Sequence, residues 1–276
     1  MFDPARWPVF VSLPLCFLLV FGTAVLARVV LLRHKDPERR AELQTHAEKV
    51  LTPVSASLAF LIGFCITITW GGVSAGQSEV EATAAAAREI VWAQQLETPG
   101  TSGAISEADS GRLTEGLVAF LTALGTQDNA AFQNADVEVL PSMVALRAFE
   151  RDVHRVITAK NVNPVQVSAL ESASIAMAAA HAEIIAISRR ALPPMLTALV
   201  ILNAVLLGMV MGMSMAGVRR PILMVAWCFV TALAICVVLQ LDRPFDGSIS
   251  VSLEPVSDVA YWISHGIYVN PGSAAH

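Results

Sequence analysis

The sequence predicts an all-α membrane protein with four transmembrane helices arranged as two hairpins and a helical bundle inserted between spans two and three. Three observations predict it. Four apolar stretches, residues 9–32, 55–75, 195–216 and 222–241, each hold about the 20 residues a helix needs to cross a hydrocarbon core, and none contains an acidic residue. Composition agrees: 55% of residues are hydrophobic, 15% are charged, and the mean hydropathy is +0.60. Between the two hairpins lies a long polar stretch with an acidic excess, which excludes the basic face of a nucleic-acid-binding surface.

The first span is expected to be retained rather than cleaved as a secretory signal, because its apolar run far exceeds the roughly 7–15 residues of a signal core and Asp3 precedes it beside Arg6. Domain boundaries follow the polarity: a first hairpin over residues 1–76, a bundle over 77–190, a second hairpin over 191–241, and an interfacial tail over 242–276. All four cysteines, Cys16, Cys65, Cys228 and Cys236, fall in the apolar stretches without metal-binding or redox spacing. Neither a metal nor any cofactor is expected.

Orientation follows from basic residues near the span ends. Arg28, Arg33, Lys35, Arg39, Arg40, Lys49, Arg219 and Arg220 share one side, whereas Arg6, Arg88, Arg189, Arg190 and Arg243 share the other. Eight against five places both termini and the insertion outside the cytoplasm, with the chain crossing the cell membrane.

Within the insertion the second span continues as helix, with Val80, Ala84, Ala87 and Val91 at heptad-like spacing until Pro99-Gly100 stops it; residues 98–105 form a loop. Ser106 caps a helix carrying Glu107 and Asp109 in its first turn and Leu113, Leu117, Phe120, Leu121 and Leu124 on one face. A further helix starts near Pro141, with Leu146, Phe149, Val153, Val156 and Ile157 on one side. Another starts with Asn163 as cap and Pro164 as first residue, aligns Leu170, Ser174, Met177, His181 and Ile184, and runs to Pro193-Pro194, where it kinks into the third span. Such helices form a bundle. After the last span, residues 248–253 alternate polar and apolar in a strand-like pattern. From Pro255 a short amphipathic helix, with Val256, Val259, Ala260 and Ile263 together and Tyr261, Trp262 and Tyr268 nearby, suits the lipid interface.

Two rows on the spans are candidates for function or packing. Phe60, Phe64 and Ile68 recur every four residues and lie along one side of the second span, where stacked apolar rings would gate by dewetting; Thr67 and Thr69 offer hydroxyls nearby. Ala59, Gly63, Thr67 and Gly71, and likewise Gly208, Gly212 and Ala216, are small-residue rows that let helices approach closely. Asn203, the most polar residue of the third span, is expected to bond to a neighbouring helix.

No enzymatic signature survives. Gly72-Val73-Ser74-Ala75-Gly76 matches a serine-hydrolase pattern, but that motif needs a strand before the serine and a histidine base, and here a membrane helix precedes it. The alternating Met209, Met211, Met213 and Met215 point to different sides of a helix and cannot converge on one soft metal. His154 reads as a solvated surface group and His181 as a packed, satisfied histidine. No catalytic residue is assigned.

The order of spans, the Glu81-Ala82 pair, and the exit sequence with Asp242, Arg243, Pro244, Phe245 and Gly247 resemble the bacterial bestrophin-like domain family. The resemblance implies a homo-oligomer around a central pore, since bestrophins are pentameric anion channels whose second span lines a narrow apolar neck; small ions and the lipid bilayer are then the partners. It also implies a cytoplasmic insertion, opposite to the charge count. The alternative from the residues alone is a membrane-anchored sensor or scaffold that binds a ligand or partner through the bundle.

Overall fold

The computed structural model describes residues 9–96, 105–134, 139–159, 162–190, 192–218, 221–245 and 250–267. Nine α-helices are present among them: α1 (Val9–Arg33), α2 (Pro37–Gln95), α3 (Glu107–Thr122), α4 (Asp128–Asn134), α5 (Pro141–Ile157), α6 (Pro164–Ser188), α7 (Pro194–Ser214), α8 (Ile222–Leu241) and α9 (Glu254–Ser264). A π-helical turn, Ala123–Gln127, joins α3 to α4. The chain divides into two compact units, residues 1–72 with 191–250 and residues 73–190 with 251–276.

The first unit packs α1 against α7 and α8. Its core holds Val20, Ala24, Leu58, Cys65, Ala204, Leu207, Cys228 and Ile235, all apolar or nearly so, as a membrane-embedded core requires. Close approach of α1 and α7 depends on glycine: a Cβ at Gly208 would lie 2.5 Å from Thr23 Oγ1, and one at Gly212 would collide with the carbonyl oxygen of Ala24. Asn203 Nδ2 donates to Ser57 Oγ at 2.8 Å, tying α7 to α2. Near the start of α1, Ser12 Oγ lies 3.2 Å from Cys236 Sγ on α8.

The link after the first span is largely helix, which the sequence reading did not anticipate. Asp36 accepts from the backbone N–H of Glu38 at 3.0 Å, Pro37 begins the helix, and α2 then runs unbroken for 59 residues despite Pro53 within it. Aspartate, proline, glutamate is a helix-start signature. The extension is functional scaffolding: Gln44 Nε2 donates to Ser214 O at 3.1 Å at the end of α7, and Arg40 Nη2 donates to Leu32 O and His34 O at 3.1 and 2.7 Å at the end of α1. These side chains satisfy carbonyls that a helix end leaves orphaned.

The second unit is the bundle. Val80, Ala84, Ala87 and Val91 of α2 are all buried, as are Leu113, Leu117, Phe120 and Leu121 of α3, Phe149 of α5, and Leu170, Met177 and Ile184 of α6. Ser106 Oγ accepts from Asp109 N at 3.1 Å, and Asn163 Oδ1 accepts from Val165 N at 2.9 Å, so both caps form at the anticipated residues. The C-terminal carbonyl of Leu96 after α2 receives Gln166 Nε2 from α6 at 2.7 Å.

Three expectations are corrected. The helix from Pro164 does not run into the third span: α6 stops at Ser188 and α7 begins at Pro194. Consecutive prolines remove two N–H donors and disfavour helical backbone before them, so the chain breaks rather than kinks. The alternation before α9 is not a strand over its described residues. Residues 250–253 are irregular, and the alternation records burial instead, with Val251 and Leu253 inside and Ser252 exposed while its N–H donates to Gln77 Oε1 at 3.1 Å. Among the described residues there is no strand. The apolar face of α9 is not given to lipid: Val256, Val259, Ala260 and Ile263 are buried, and α9 packs on α3 and the π-helical turn. A Cβ at Gly125 in that turn would lie 2.5 Å from Ser257 Oγ of α9. The loop expected at residues 98–105, together with Gly247 and Tyr268, lies outside the described residues except for Ile105.

Candidate functional site

The apolar row of the second span lies on an outward face of α2. Phe60, Phe64 and Ile68 are 72%, 45% and 43% exposed, and Ala59, Gly63, Thr67 and Gly71 are exposed beside them. Spacings of three and four keep these residues on one side. The rings of Phe60 and Phe64 stack, with centroids 6.4 Å apart and planes 8° from parallel. A Cβ added at Gly63 or Gly71 would meet no atom within 4 Å, so within the protomer these glycines serve no close helix contact. Gly208 and Gly212 stand in the opposite situation, pressed against α1.

The two threonines part company. Thr67 is exposed and donates its hydroxyl to Gly63 O at 2.9 Å, leaving its oxygen lone pairs outward. Thr69 is buried and bonds back to Cys65 O at 2.9 Å, which removes it from the row. Four-residue periodicity alone separates them, since position 69 falls on the face of Cys65.

Little of α2 is covered by its own chain. In its most apolar 18-residue stretch only 11% of residues are buried, against 39% for α7 and 44% for α8. Among the described residues five helices, α1, α2, α6, α7 and α8, are long and apolar enough to cross a membrane. α6 carries Glu171 and Glu183 and packs on α5 within the bundle.

The residues of the exit motif and of Glu81 act as fasteners. Asp242 Oδ1 accepts the N–H of Leu192, joining the end of α8 to the approach to α7. Pro244 and Phe245 are buried, and Pro244 Cγ would lie 3.7 Å from a Cβ at Gly72 of α2. Glu81 accepts from Gln77 Nε2 at 3.3 Å, and Gln77 in turn receives the Ser252 N–H, both within the bundle unit.

The bundle also contains a buried polar cluster that sequence reasoning missed in part. His181 is packed edge-on to Phe120, with ring centroids 5.2 Å apart, and its Nε2 lies 2.8 Å from Ser142 Oγ. Ser142 N donates to Asp128 Oδ1 at 3.2 Å. Burial lowers the His181 pKa to about 4 and pushes the Asp128 carboxyl up, with the Ser142 hydroxyl and N–H partly opposing the second shift. The signal for Asp128 was its place as an acidic residue opening α4. That helix is seven residues long and follows a π-helical turn, too short for periodicity to reveal.

Ser74 sits inside continuous α2, without the strand-turn-helix geometry of a hydrolase nucleophile, while His181 is occupied by Ser142. Among the described residues no group of three or more His, Cys, Asp or Glu side chains is arranged to hold a metal.

This is a polytopic helical membrane protein with an appended helical bundle. The Bestrophin-like domain profile matches residues 17–256, and the chain belongs to that family. Its fold is similar to that of a bacterial bestrophin homolog from Klebsiella pneumoniae: one variant structure gives a TM-score of 0.69 at 13% identity, covering 94% of this chain and 96% of the other. A second structure of that homolog, phased with zinc, gives 0.67 at 14% identity over 95% of this chain and 100% of the other. No curated protein sequence matches the chain.

Proposed function

We propose that the protein is a homo-oligomeric ion channel in which α2 lines the pathway and Phe60, Phe64 and Ile68 form its apolar gate. The observation that carries this reading is the outward face of α2, an apolar row with a stacked aromatic pair that the described residues leave exposed. Rings of such side chains around an axis would exclude water at a constriction. Gly63 and Gly71 then serve contacts between copies, and membership in the bestrophin-like family suggests five of them. Thr67 presents oxygen lone pairs to the ion just past Phe64.

Four spans, α1, α2, α7 and α8, cross the cell membrane in this reading, and α6 stays in the bundle, whose other helices cover its buried face. The basic residues of the first and third links keep those links in the cytoplasm and place the termini and bundle outside. Labelling of Ala108→Cys with an impermeant maleimide on intact cells tests this: rapid labelling upholds it, and protection places the bundle in the cytoplasm.

The channel reading is tested by ion flux into liposomes holding the purified protein. Changing Phe60 and Phe64 together to Ala is expected to raise flux and blur ion selectivity. Unchanged conductance and selectivity would remove both rings from the gate. Particle images showing a monomer with sealed spans would sink the channel itself.

A further inference from the structure

A second feature of the membrane unit lies away from the α2 row. Between the end of α1, the charged start of α2 and the flank of α7 there is a cavity of about 290 Å³, close to the roughly 300 Å³ at which ligand pockets begin. Its walls include Leu26, Val30, Leu43, Met209 and Met213. Polar lining comes from Thr23 and His34, and the Thr23 hydroxyl is already donated to Val20 O at 2.8 Å. His34 Nδ1, by contrast, is buried without a hydrogen-bond partner.

A second orphan donor sits at the same end. Arg40 spends its Nη2 on Leu32 O and His34 O, but its Nε is also buried without a partner. Arg33 and Lys35 flank His34 in sequence and are exposed. Asp36, two residues after His34, is engaged by the N–H groups of Glu38 and Arg39 at the start of α2. An apolar trough thus ends at a basic rim with two unsatisfied nitrogens, in a region where an apolar span meets a charged link.

We infer that this trough binds one acyl chain of an anionic phospholipid from the surrounding bilayer, with the phosphate received at His34 and Arg40. The apolar walls match a hydrocarbon chain, and the rim matches a negative headgroup: an unpaired buried donor is costly, and a phosphate oxygen would satisfy it. Long basic side chains at span ends are suited to reach headgroups. The inference rests on membrane residence and not on the channel reading.

The test uses the full chain, delipidated in neutral detergent, titrated with phosphatidylglycerol or phosphatidylcholine of identical chains and read by native mass spectrometry. Wild type is expected to bind phosphatidylglycerol about tenfold more tightly, the size of one charge-assisted contact. Val30→Trp and Leu26→Trp each fill the trough from an exposed position and should weaken both lipids about tenfold. His34→Leu should keep phosphatidylcholine binding and remove the preference. Equal binding of the two lipids by wild type, or undiminished binding by both tryptophan variants, would overturn the proposal. Flux through the α2 pathway is not expected to vanish in these variants, so failure here is distinguishable from failure of the channel reading.

Discussion

α2 and α7 carry the same kind of small-residue row and meet opposite surroundings. In α7, Gly208 and Gly212 are pressed onto the backbone of α1; in α2, Gly63 and Gly71 face open space within the protomer. Spacing by four marks a surface that tolerates close approach. It does not say whether the approaching helix belongs to the same chain, and only the pattern of cover separates a folding contact from an assembly contact.

The sharpest way to break this comparison is to add bulk to each row. Gly212→Leu should abolish recovery of folded protein from detergent, because the added atoms run into the Ala24 carbonyl rather than a movable side chain, and the cost exceeds the roughly 1–3 kcal/mol of ordinary overpacking. Gly63→Leu should leave the protomer folded and change only its oligomeric state, seen by size-exclusion chromatography with light scattering. A monomer destabilised equally by both would erase the distinction.

Truncating aromatics extends the contrast to the bundle. Phe149 is fully buried, so Phe149→Ala should cost about 3–5 kcal/mol, whereas Phe60→Ala should barely move the melting of the dissociated protomer. Thermal melts in detergent compare them.

A smaller effect separates the bundle from the spans by pH. His181 takes up its proton at about 4 in the folded state against 6.5 when unfolded, so its contribution to stability is whole above 6.5 and is lost as pH falls toward 4, at up to about 1.4 kcal/mol per pH unit. Asp128 works the other way, because its raised carboxyl pKa makes acidification favour the fold. His181→Gln should flatten the loss of melting temperature between pH 7 and 5, and Asp128→Asn should remove the opposing gain as pH falls toward 3.8. The smallest expected change is Asn203→Ala, about 0.6 kcal/mol for one hydrogen bond between α7 and α2.

The apolar helices and the caps were legible in the sequence because their causes are local. Ser106, Asn163, Pro141 and Pro164 announce helix starts by their own chemistry, and the face of Val80, Ala84, Ala87 and Val91 is written in its period. Three other features escaped the pattern of apolar residues. The start of α2 looked like a charged link because nothing apolar marks it, although Asp36-Pro37-Glu38 carried the signal. The alternating residues 250–253 looked like a strand because alternate burial has the same period whether the neighbour is a sheet or a bundle. The cluster of Asp128, Ser142 and His181 joins three helices and has no period at all.

The division of the chain also sets an order of events. Residues 191–250, which include α7 and α8, interrupt the bundle unit, and α9 lies beyond them. During synthesis the apolar face of α3 that α9 covers therefore stays bare while α7 and α8 are made, a delay of several seconds at about 5–20 residues per second. The bundle unit cannot cover that face before α9 has been made, after α7 and α8. A chain cut short before α9 would leave that face open, as a mark by which quality control can recognise it.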